Sequence, residues 1–158
     1  MNPNGKSQFI YQSTSADGFV WTVPMPTVLP NNNASVQAVV LGDGNFVLAF
    51  NNASSGPGGR VPKFGPRKPL SIALSDDEGQ HWRWVRDLET GGPGPAAPAA
   101  TDQPGGDDYS SPSLLQGADD KIYVAYTYRH YTIKIVRFDE TWIKAGKSGG
   151  TYRGEGSR

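Results

Sequence analysis

The sequence predicts an all-β fold built from repeated antiparallel hairpins, and three observations support this. Glycine and proline together supply 33 of the 158 residues, 20 and 13 respectively, a balance typical of turn-rich β proteins. Short apolar runs alternate with polar turns, and no helical periodicity of useful length precedes the last twenty residues. A turn motif containing Ser, Asp and Trp occurs twice, sixty residues apart.

The repeated turn motif lies between two strand-like runs in each copy. The second copy has the form Ser-x-Asp-x-Gly-x-x-Trp, and the first is one residue shorter; their residues are Ser75, Asp77, Gly79 and Trp82, and Ser15, Asp17 and Trp21. Asp and Ser side chains accept N–H bonds within their own turn, and Gly79 suits a positive φ. We interpret both copies as structural. Calcium binding by residues 76–78 is the alternative, but the spacing does not match an EF-hand loop, and no metal is predicted.

The first half of the chain predicts six strands around these turns. In order they are Phe9–Ser15, Val20–Pro24, Val36–Leu41, Asn45–Phe50, Leu70–Ser75 and His81–Val85. A loop of turn formers is expected at Leu29–Asn33, and a Gly/Ser/Pro loop at 51–66. Gly42-Asp43-Gly44 joins the third and fourth strands as a hairpin turn.

The second half predicts three strands, a helix and two irregular segments. The strands are Ser113–Gln116, Ile122–Tyr126 and Thr132–Phe138, and a short helix is expected at Asp139–Lys147. Residues 91–106 are rich in Gly, Pro and Ala and predict a flexible insertion. The tail at 148–158 is expected to be disordered.

The strands group into half a unit, one full four-stranded unit and three strands of another. Repeated four-stranded meanders of this length are typical of β-propeller blades. We therefore predict about two and a half propeller blades over residues 1–147. Relative to a closed ring both ends look cut, so the chain is expected to belong to a larger propeller. Open sheet edges also predict self-association.

Composition excludes several classes of partner. Fifteen Lys and Arg balance fifteen Asp and Glu, and there is no cysteine, so nucleic-acid binding, disulfides and thiolate metal sites are not expected. The apolar runs are too short to cross a bilayer, and the N-terminus lacks a signal-peptide pattern. A soluble product is expected, with its compartment undetermined.

Several segments together resemble the sialidase (neuraminidase) superfamily, whose members are six-bladed propellers carrying BNR repeats with Asp-boxes. Both turn motifs are similar to Asp-boxes. The other similar segments are 29–35 with the following Gly-Asp-Gly hairpin, 67–75, 109–116 and 126–134. Apart from 91–106 and the tail, the resemblance spans nearly the whole chain and corresponds to the C-terminal two to three blades of the family.

The resemblance implies a chemistry and a set of residues. In sialidases three arginines clamp the sugar carboxylate, since an Arg fork binds it bidentately. A tyrosine activated by a Glu base is the nucleophile, because a neutral phenol avoids repulsion by that carboxylate. An Asp supplies the acid, and no cofactor is needed. Arg67 falls at the last clamp position, with Arg60 as its rival, and Tyr109 falls at the nucleophile.

The match to the other site residues of the family is incomplete. Arg129, which follows a strand end, is a candidate substrate-binding residue. No position matches the other two arginines, the Glu base or the acid Asp, and Glu78, Glu89 and Glu140 do not fit the base. The expected function is therefore exo-cleavage of a terminal acidic sugar by a sialidase-like domain that is incomplete and inactive as this chain alone. The alternative is a non-catalytic propeller module that binds glycan or protein. A third interpretation is a truncated reading frame that yields no stable protein.

Overall fold

The computed structural model describes residues 9–54, 67–92 and 106–155. Within these ranges the elements are β1 (Phe9–Gln12), β2 (Met25–Pro30), β3 (Gln37–Val40), β4 (Phe46–Asn51), β5 (Leu70–Ser75), β6 (Trp84–Glu89), β7 (Tyr109–Gln116), β8 (Ile122–Tyr128), β9 (Thr132–Phe138) and α1 (Glu140–Lys144). Most of the predicted insertion at 91–106 and of the loop at 51–66 lies outside the described residues.

The strands form three antiparallel meander sheets, with the orders β1-β2, β3-β4-β5-β6 and β7-β8-β9. This confirms the all-β class and the predicted sequence of half a unit, one full unit and three strands. The architecture is consistent with part of a β-propeller.

The two central strands of the middle sheet, β4 and β5, are buried on both faces. Successive side chains of a strand point to opposite faces, so β4 sends Val47 and Ala49 toward the third sheet and Leu48 and Phe50 toward the first. Every residue of β5 is buried. Strands buried on both faces have near-continuous apolar sequences, which is the pattern of 46–50 and 70–74.

Two apolar clusters join the sheets. Between the middle and third sheets the buried residues are Leu41, Val47, Ala49, Leu70, Ile72, Leu74, Tyr109, Leu114, Ile122, Val124, Tyr126, Phe138 and Ile143. Between the first and middle sheets they are Leu29, Leu48, Phe50, Ala73, Trp82 and Val85. Because consecutive sheets share a core, the three stack face to face, as propeller blades do.

The predicted strand at Val20–Pro24 is wrong. The backbone N–H of Val20 donates to the Asp17 carboxylate over 2.9 Å, so this run still belongs to the turn. The strand lies instead at Met25–Pro30, where Tyr11 pairs with Pro26 and Leu29 enters the core. The loop predicted at Leu29–Asn33 therefore starts two residues later than predicted, after Pro30. The reason is that burial of Leu29 sets the position of the strand.

The predicted strand at His81–Val85 also begins too early. The N–H of His81 donates to the Asp77 carboxylate over 2.8 Å, which keeps it in the second turn motif. Pairing begins where Trp84 lies opposite Leu74. The helix is likewise shorter than 139–147: Asp139 caps it by accepting the N–H of Trp142 over 2.9 Å, and Ile143 anchors it in the core.

The prediction of a disordered tail is wrong for residues 148–155, which pack on the middle sheet. The buried amide of Asn52 donates to Ser148 Oγ over 2.8 Å and to the Tyr152 carbonyl over 2.6 Å. The Tyr152 N–H returns a bond to Asn52 Oδ1 over 2.9 Å, and its hydroxyl donates to the Trp82 carbonyl over 3.0 Å. Residues 156–158 lie outside the described part of the chain.

The two ends of the sheets differ. At one end Asn51, Leu70 and Glu89 lie side by side across the middle sheet, and Tyr109 lies opposite Tyr128 in the third. The turn motifs at 15–21 and 75–82 lie at the other end, after β1 and β5. The first end therefore carries all three residues that the sequence singles out for chemistry.

Candidate functional site

Tyr109 is the centre of the candidate site. It is fully buried, and its ring lies 5.4 Å from that of Tyr128 on the neighbouring strand. Its N–H donates to the Arg67 carbonyl over 3.2 Å. The Asn51 amide donates to the Tyr109 carbonyl over 2.9 Å and to the Arg67 carbonyl over 2.8 Å. Asn51 thus ties the start of β7 to the segment before β5.

The Asp107 carboxylate organises the polar groups beside this tyrosine. Its Oδ2 lies 2.8 Å from Lys68 Nζ, and its Oδ1 lies 3.0 Å from Arg129 Nη2. The Tyr109 hydroxyl donates to Oδ1 over 3.4 Å. The hydrogen bond from Lys68 is the main cause that lowers the pKa of Asp107, with smaller contributions from Gly92 and Arg129. Asp107 is therefore a stable anion between two cations and a phenol.

The Tyr109 phenol and the Arg129 guanidinium act on each other. Burial raises the pKa of Tyr109, while its hydrogen bond with Arg129 opposes that rise. Burial disfavours the charged phenolate, and a neighbouring cation favours it. The phenol is consequently neutral at neutral pH, and a guanidinium is in place to stabilise the phenolate once it forms.

Arg129 occupies a strained hairpin loop. Arg129 and His130 both have left-handed backbones, with φ of 54° and 62°, which for residues other than glycine costs on the order of 1 kcal/mol each. Asp108 supports both: its carbonyl accepts the Arg129 N–H over 2.7 Å, and its Oδ2 lies 2.9 Å from His130 Nε2. Such strain is concentrated at functional sites. The loop places the guanidinium on Asp107 and Tyr109.

A second tyrosine–carboxylate pair lies at the same end of the sheets. The buried Tyr126 hydroxyl donates to Glu89 Oε1 over 2.5 Å, and Lys134 forms an ion pair with that oxygen. Burial, followed by Glu89, raises the pKa of Tyr126. Glu89 does not match the base of the family, yet its charge also raises the pKa of Tyr109. Glu89 therefore belongs to the electrostatic surroundings of the candidate nucleophile.

Arg67 contacts the site through its backbone carbonyl, which accepts the N–H of Tyr109. Its side chain is partly exposed, and the guanidinium has no hydrogen bond or ion pair to any residue in 9–54, 67–92 or 106–155. The rival position, Arg60, lies outside these ranges. The structure thus brings Tyr109 and Arg129 together, and it places the backbone carbonyl of Arg67 on the N–H of Tyr109.

Sequence reasoning missed three contributors: Lys68, Asp107 and Tyr128. A signal existed for Tyr128, because Ile122, Val124, Tyr126 and Tyr128 alternate on one face of β8. The Lys68–Asp107 pair spans 39 residues, so local sequence could not reveal it.

At the other end of the sheets, the second turn motif is closed by its own side chains. Ser75 Oγ donates to Asp77 over 2.9 Å and accepts the N–H of Gly79 over 2.9 Å. Asp77 also accepts the N–H of His81 over 2.8 Å, and Gly79 has a φ of 80°. Trp82 packs into the core between the first and middle sheets. The motif is a hydrogen-bonded turn pinned by its tryptophan.

The first turn motif has the same hydrogen bonds, but its tryptophan does not pack into a core. Ser15 Oγ donates to Asp17 over 3.0 Å and accepts the N–H of Gly18 over 2.8 Å. Asp17 accepts the N–H of Val20 over 2.9 Å. Trp21, however, is exposed, and its indole N–H donates to the Gly18 carbonyl over 3.2 Å.

The fold and the two hydrogen-bonded turn motifs define an all-β, BNR-repeat protein of the sialidase-like superfamily. A family model described as a BNR repeat-like domain matches residues 2–124. The chain therefore belongs to the BNR repeat-like domain family. A comparison with curated proteins found no match. In the described ranges, no helix has the length and apolar character needed to span a membrane.

Proposed function

We propose that this site is part of a sialidase-like glycoside hydrolase centre that takes a terminal acidic sugar. Tyr109 is the nucleophile, Arg67 clamps the sugar carboxylate, and Arg129 binds near both. One observation carries the proposal: a buried phenol contacts a carboxylate and a guanidinium directly beside Arg67.

The proposed reaction forms and breaks one bond in each of two steps. A base takes the hydroxyl proton of Tyr109 as its oxygen attacks the anomeric carbon, while the bond to the leaving alcohol breaks and an acid protonates that alcohol. Water then displaces the tyrosyl oxygen, giving the free sugar and restoring the phenol. A neutral phenol approaches a sugar that carries a carboxylate at lower electrostatic cost than an anionic carboxylate nucleophile does.

We expect this chain by itself to bind without turnover. Burial raises the pKa of Tyr109, and Lys68 lowers the pKa of Asp107. Both shifts make proton transfer from the phenol to Asp107 less favourable than between the isolated groups. Asp107 is therefore a poor base, and the resemblance assigns no residue of this chain to the Glu base or the acid.

Binding is tested by titrating the labelled protein with N-acetylneuraminic acid and, separately, with neutral galactose, following amide shifts by NMR. We expect shifts around Tyr109 and Arg129 with the acidic sugar alone. Arg67→Ala should weaken binding about tenfold or more, which corresponds to the loss of one charge-assisted hydrogen-bond pair. Arg83→Ala, an exposed arginine paired with Asp76 near the second turn motif, is the matched control and should bind normally.

Turnover is tested with a fluorogenic sialoside, with circular dichroism to show that each protein is folded. We expect no release of fluorophore. Turnover that Tyr109→Phe abolishes would contradict the expected inactivity and support the nucleophile. Absence of binding to the acidic sugar by a folded protein would overturn the site.

A non-catalytic module that binds glycan or protein is the second candidate. It is favoured by the way the polar groups already satisfy each other: Asp107 neutralises Arg129, and Glu89 neutralises Lys134. This candidate predicts glycan-array binding that survives both Arg67→Ala and Tyr109→Phe. An array without hits would count against its glycan form.

A further inference from the structure

A cleft lies at the turn-motif end of the sheets, between the first sheet and the second turn motif. Its volume is about 360 Å³, and its lining includes Gln12, Met25, Thr27, Gly79, Gln80 and Trp82. The first three belong to the first sheet and the last three to the second turn motif. The Gln12 amide joins the two sides, because it donates to the Glu78 carbonyl over 3.2 Å. The volume lies within the range of small-molecule sites, and we name this space the turn-end cleft.

The lining of the turn-end cleft is polar but uncharged. Among the described residues that form it, none is ionisable. The Gln80 amide has no hydrogen bond to any residue in 9–54, 67–92 or 106–155, and neither does Gln12 Oε1. An amide supplies two N–H donors and an acceptor oxygen, and Met25, which is 65% exposed, adds apolar surface. The cleft thus offers donors, acceptors and an apolar contact without a charge.

The Trp82 indole supplies a further donor beside the cleft. Its Nε1 is buried and has no acceptor among the described residues, whereas the matching nitrogen of Trp21 donates to the Gly18 carbonyl over 3.2 Å. Most buried donors in native proteins are hydrogen-bonded, so an exception needs an explanation. The nitrogen side of the indole lies near two cleft residues, since a Cβ on Gly79 would be 3.5 Å from Trp82 Cζ2 and 3.2 Å from Gln12 Nε2. An acceptor bound in the cleft would satisfy this donor.

A neutral sugar has the chemistry that this lining fits. Each sugar hydroxyl both donates and accepts a hydrogen bond, and the C–H groups of the ring form an apolar face. An acidic sugar fits less well, because its carboxylate meets no cation in the lining, and the nearby Arg83 already pairs with Asp76 over 2.8 Å.

We propose that the turn-end cleft binds a neutral sugar unit of a glycan. Its hydroxyls bond to the amides of Gln12 and Gln80 and accept the indole N–H of Trp82. The indole nitrogen is shielded, so a sugar reaches it when a lining side chain such as Gln12 turns aside and gives up its bond to Glu78. The inference does not depend on the proposed chemistry, because the cleft and Tyr109 lie at opposite ends of the sheets.

NMR titration of the labelled full chain with galactose tests the cleft, and concentrations up to about 100 mM detect millimolar dissociation constants. We expect saturable shifts of the backbone amides of Gln12, Gly79 and Gln80 and of the Trp82 indole N–H, with no change at Tyr109. N-acetylneuraminic acid should leave the cleft signals in place. A folded chain whose cleft signals do not move with galactose, or move equally with both sugars, would overturn the proposal.

Gln80→Ala tests whether the cleft itself binds the sugar. Since no hydrogen bond joins the Gln80 side chain to the described residues, the fold should be unchanged by circular dichroism. Affinity for galactose should fall about fivefold or more, because the hydrogen bonds to the amide are lost. Gln37→Ala is the matched control: Gln37 is also an exposed glutamine, but it lies on β3, outside the cleft. Affinity unchanged in Gln80→Ala, or reduced equally in both variants, would overturn the assignment of the site.

The variants also separate this cleft from the site at Tyr109. Arg67→Ala should leave galactose binding intact, and Gln80→Ala should leave the response of Tyr109 to N-acetylneuraminic acid intact. Glycan-array binding that survives Arg67→Ala and Tyr109→Phe but is lost in Gln80→Ala would support the cleft. Loss of both NMR responses in either variant would contradict two independent sites.

Discussion

The Asp77 carboxylate connects the pH dependence of stability to one turn. Its hydrogen bond from the His81 N–H is the main cause that lowers the pKa of Asp77 from 3.8 to about 2. A carboxyl group whose pKa is lower in the folded state stabilises the fold at pH values above its unfolded pKa. That stabilisation is lost as the pH falls from 3.8 to about 2.

We therefore expect Asp77→Asn to lower the melting temperature at neutral pH, because the amide keeps an acceptor but lacks the charge. The difference from the wild type should shrink as the pH falls through this window. Thermal melts at a series of pH values measure it. Asp76→Asn is the control, since Asp76 forms an exposed ion pair with Arg83. A melting-temperature difference between the wild type and Asp77→Asn that stays constant at every pH would contradict the assignment.

Arg129 shows how strain and support combine at a single residue. Its left-handed φ of 54° lies at a hairpin turn, where positive φ values are common. Asp108 holds this loop twice, because its carbonyl accepts the Arg129 N–H and its carboxylate pairs with the His130 side chain. The guanidinium is then fixed on Asp107 rather than extended into solvent. This positioning makes the phenol of Tyr109 part of a charged cluster.

At the scale of elements, the C-terminal segment is held by non-local contacts. Asn52 bonds to residues about a hundred positions later, at Ser148 and Tyr152. The Tyr152 ring packs beside the core between the first and middle sheets, and burial raises the pKa of its hydroxyl to about 12. The segment therefore acts as a strap across the middle sheet.

Tyr152→Ala should release this strap and reduce the free energy of unfolding by about 1–3 kcal/mol, since a partly buried ring and its hydrogen bonds are lost. Urea denaturation measures the change, and limited proteolysis should show faster cleavage after Lys147. Thr151→Ala, at the exposed neighbouring side chain, should change little. Unaltered stability and unaltered cleavage in Tyr152→Ala would show that the strap contributes nothing.

Strand positions show what local pattern fails to fix. The run Val20–Pro24 has strand composition but forms no strand, because the Asp17 carboxylate accepts the N–H of its first residue, Val20. The pairing partner of β1 is instead selected by Leu29, which enters the core. A one-residue shift in a strand exchanges its two faces, so the core decides the register.

At the scale of the molecule, the middle sheet is shared by both apolar clusters. Unfolding it exposes Val47 and Ile72 on one face and Phe50 and Ala73 on the other. Neither cluster survives without it. The described sheets should therefore unfold together rather than one at a time.

We expect one cooperative transition, with circular dichroism and tryptophan fluorescence giving the same midpoint. Ile72→Ala should lower the free energy of unfolding by about 2–4 kcal/mol, because it leaves a cavity in the larger cluster. Ile133→Ala, on the exposed face of the third sheet, should change it by less than about 0.5 kcal/mol. Two separated transitions would show that the sheets fold independently.

Local sequence by itself determined the class of fold, the grouping of strands and the wiring of both turn motifs, because period-two apolar patterns and Ser/Asp turn chemistry act over a few residues. It also indicated Tyr109 and Arg67 through resemblance to a family pattern, and Arg129 through its place after a strand end. Only the tertiary structure decided the positions of β2 and β6, the docking of 148–155 and the Lys68–Asp107–Arg129 cluster. These depend on contacts between distant segments, whose geometry is set by burial in the shared core.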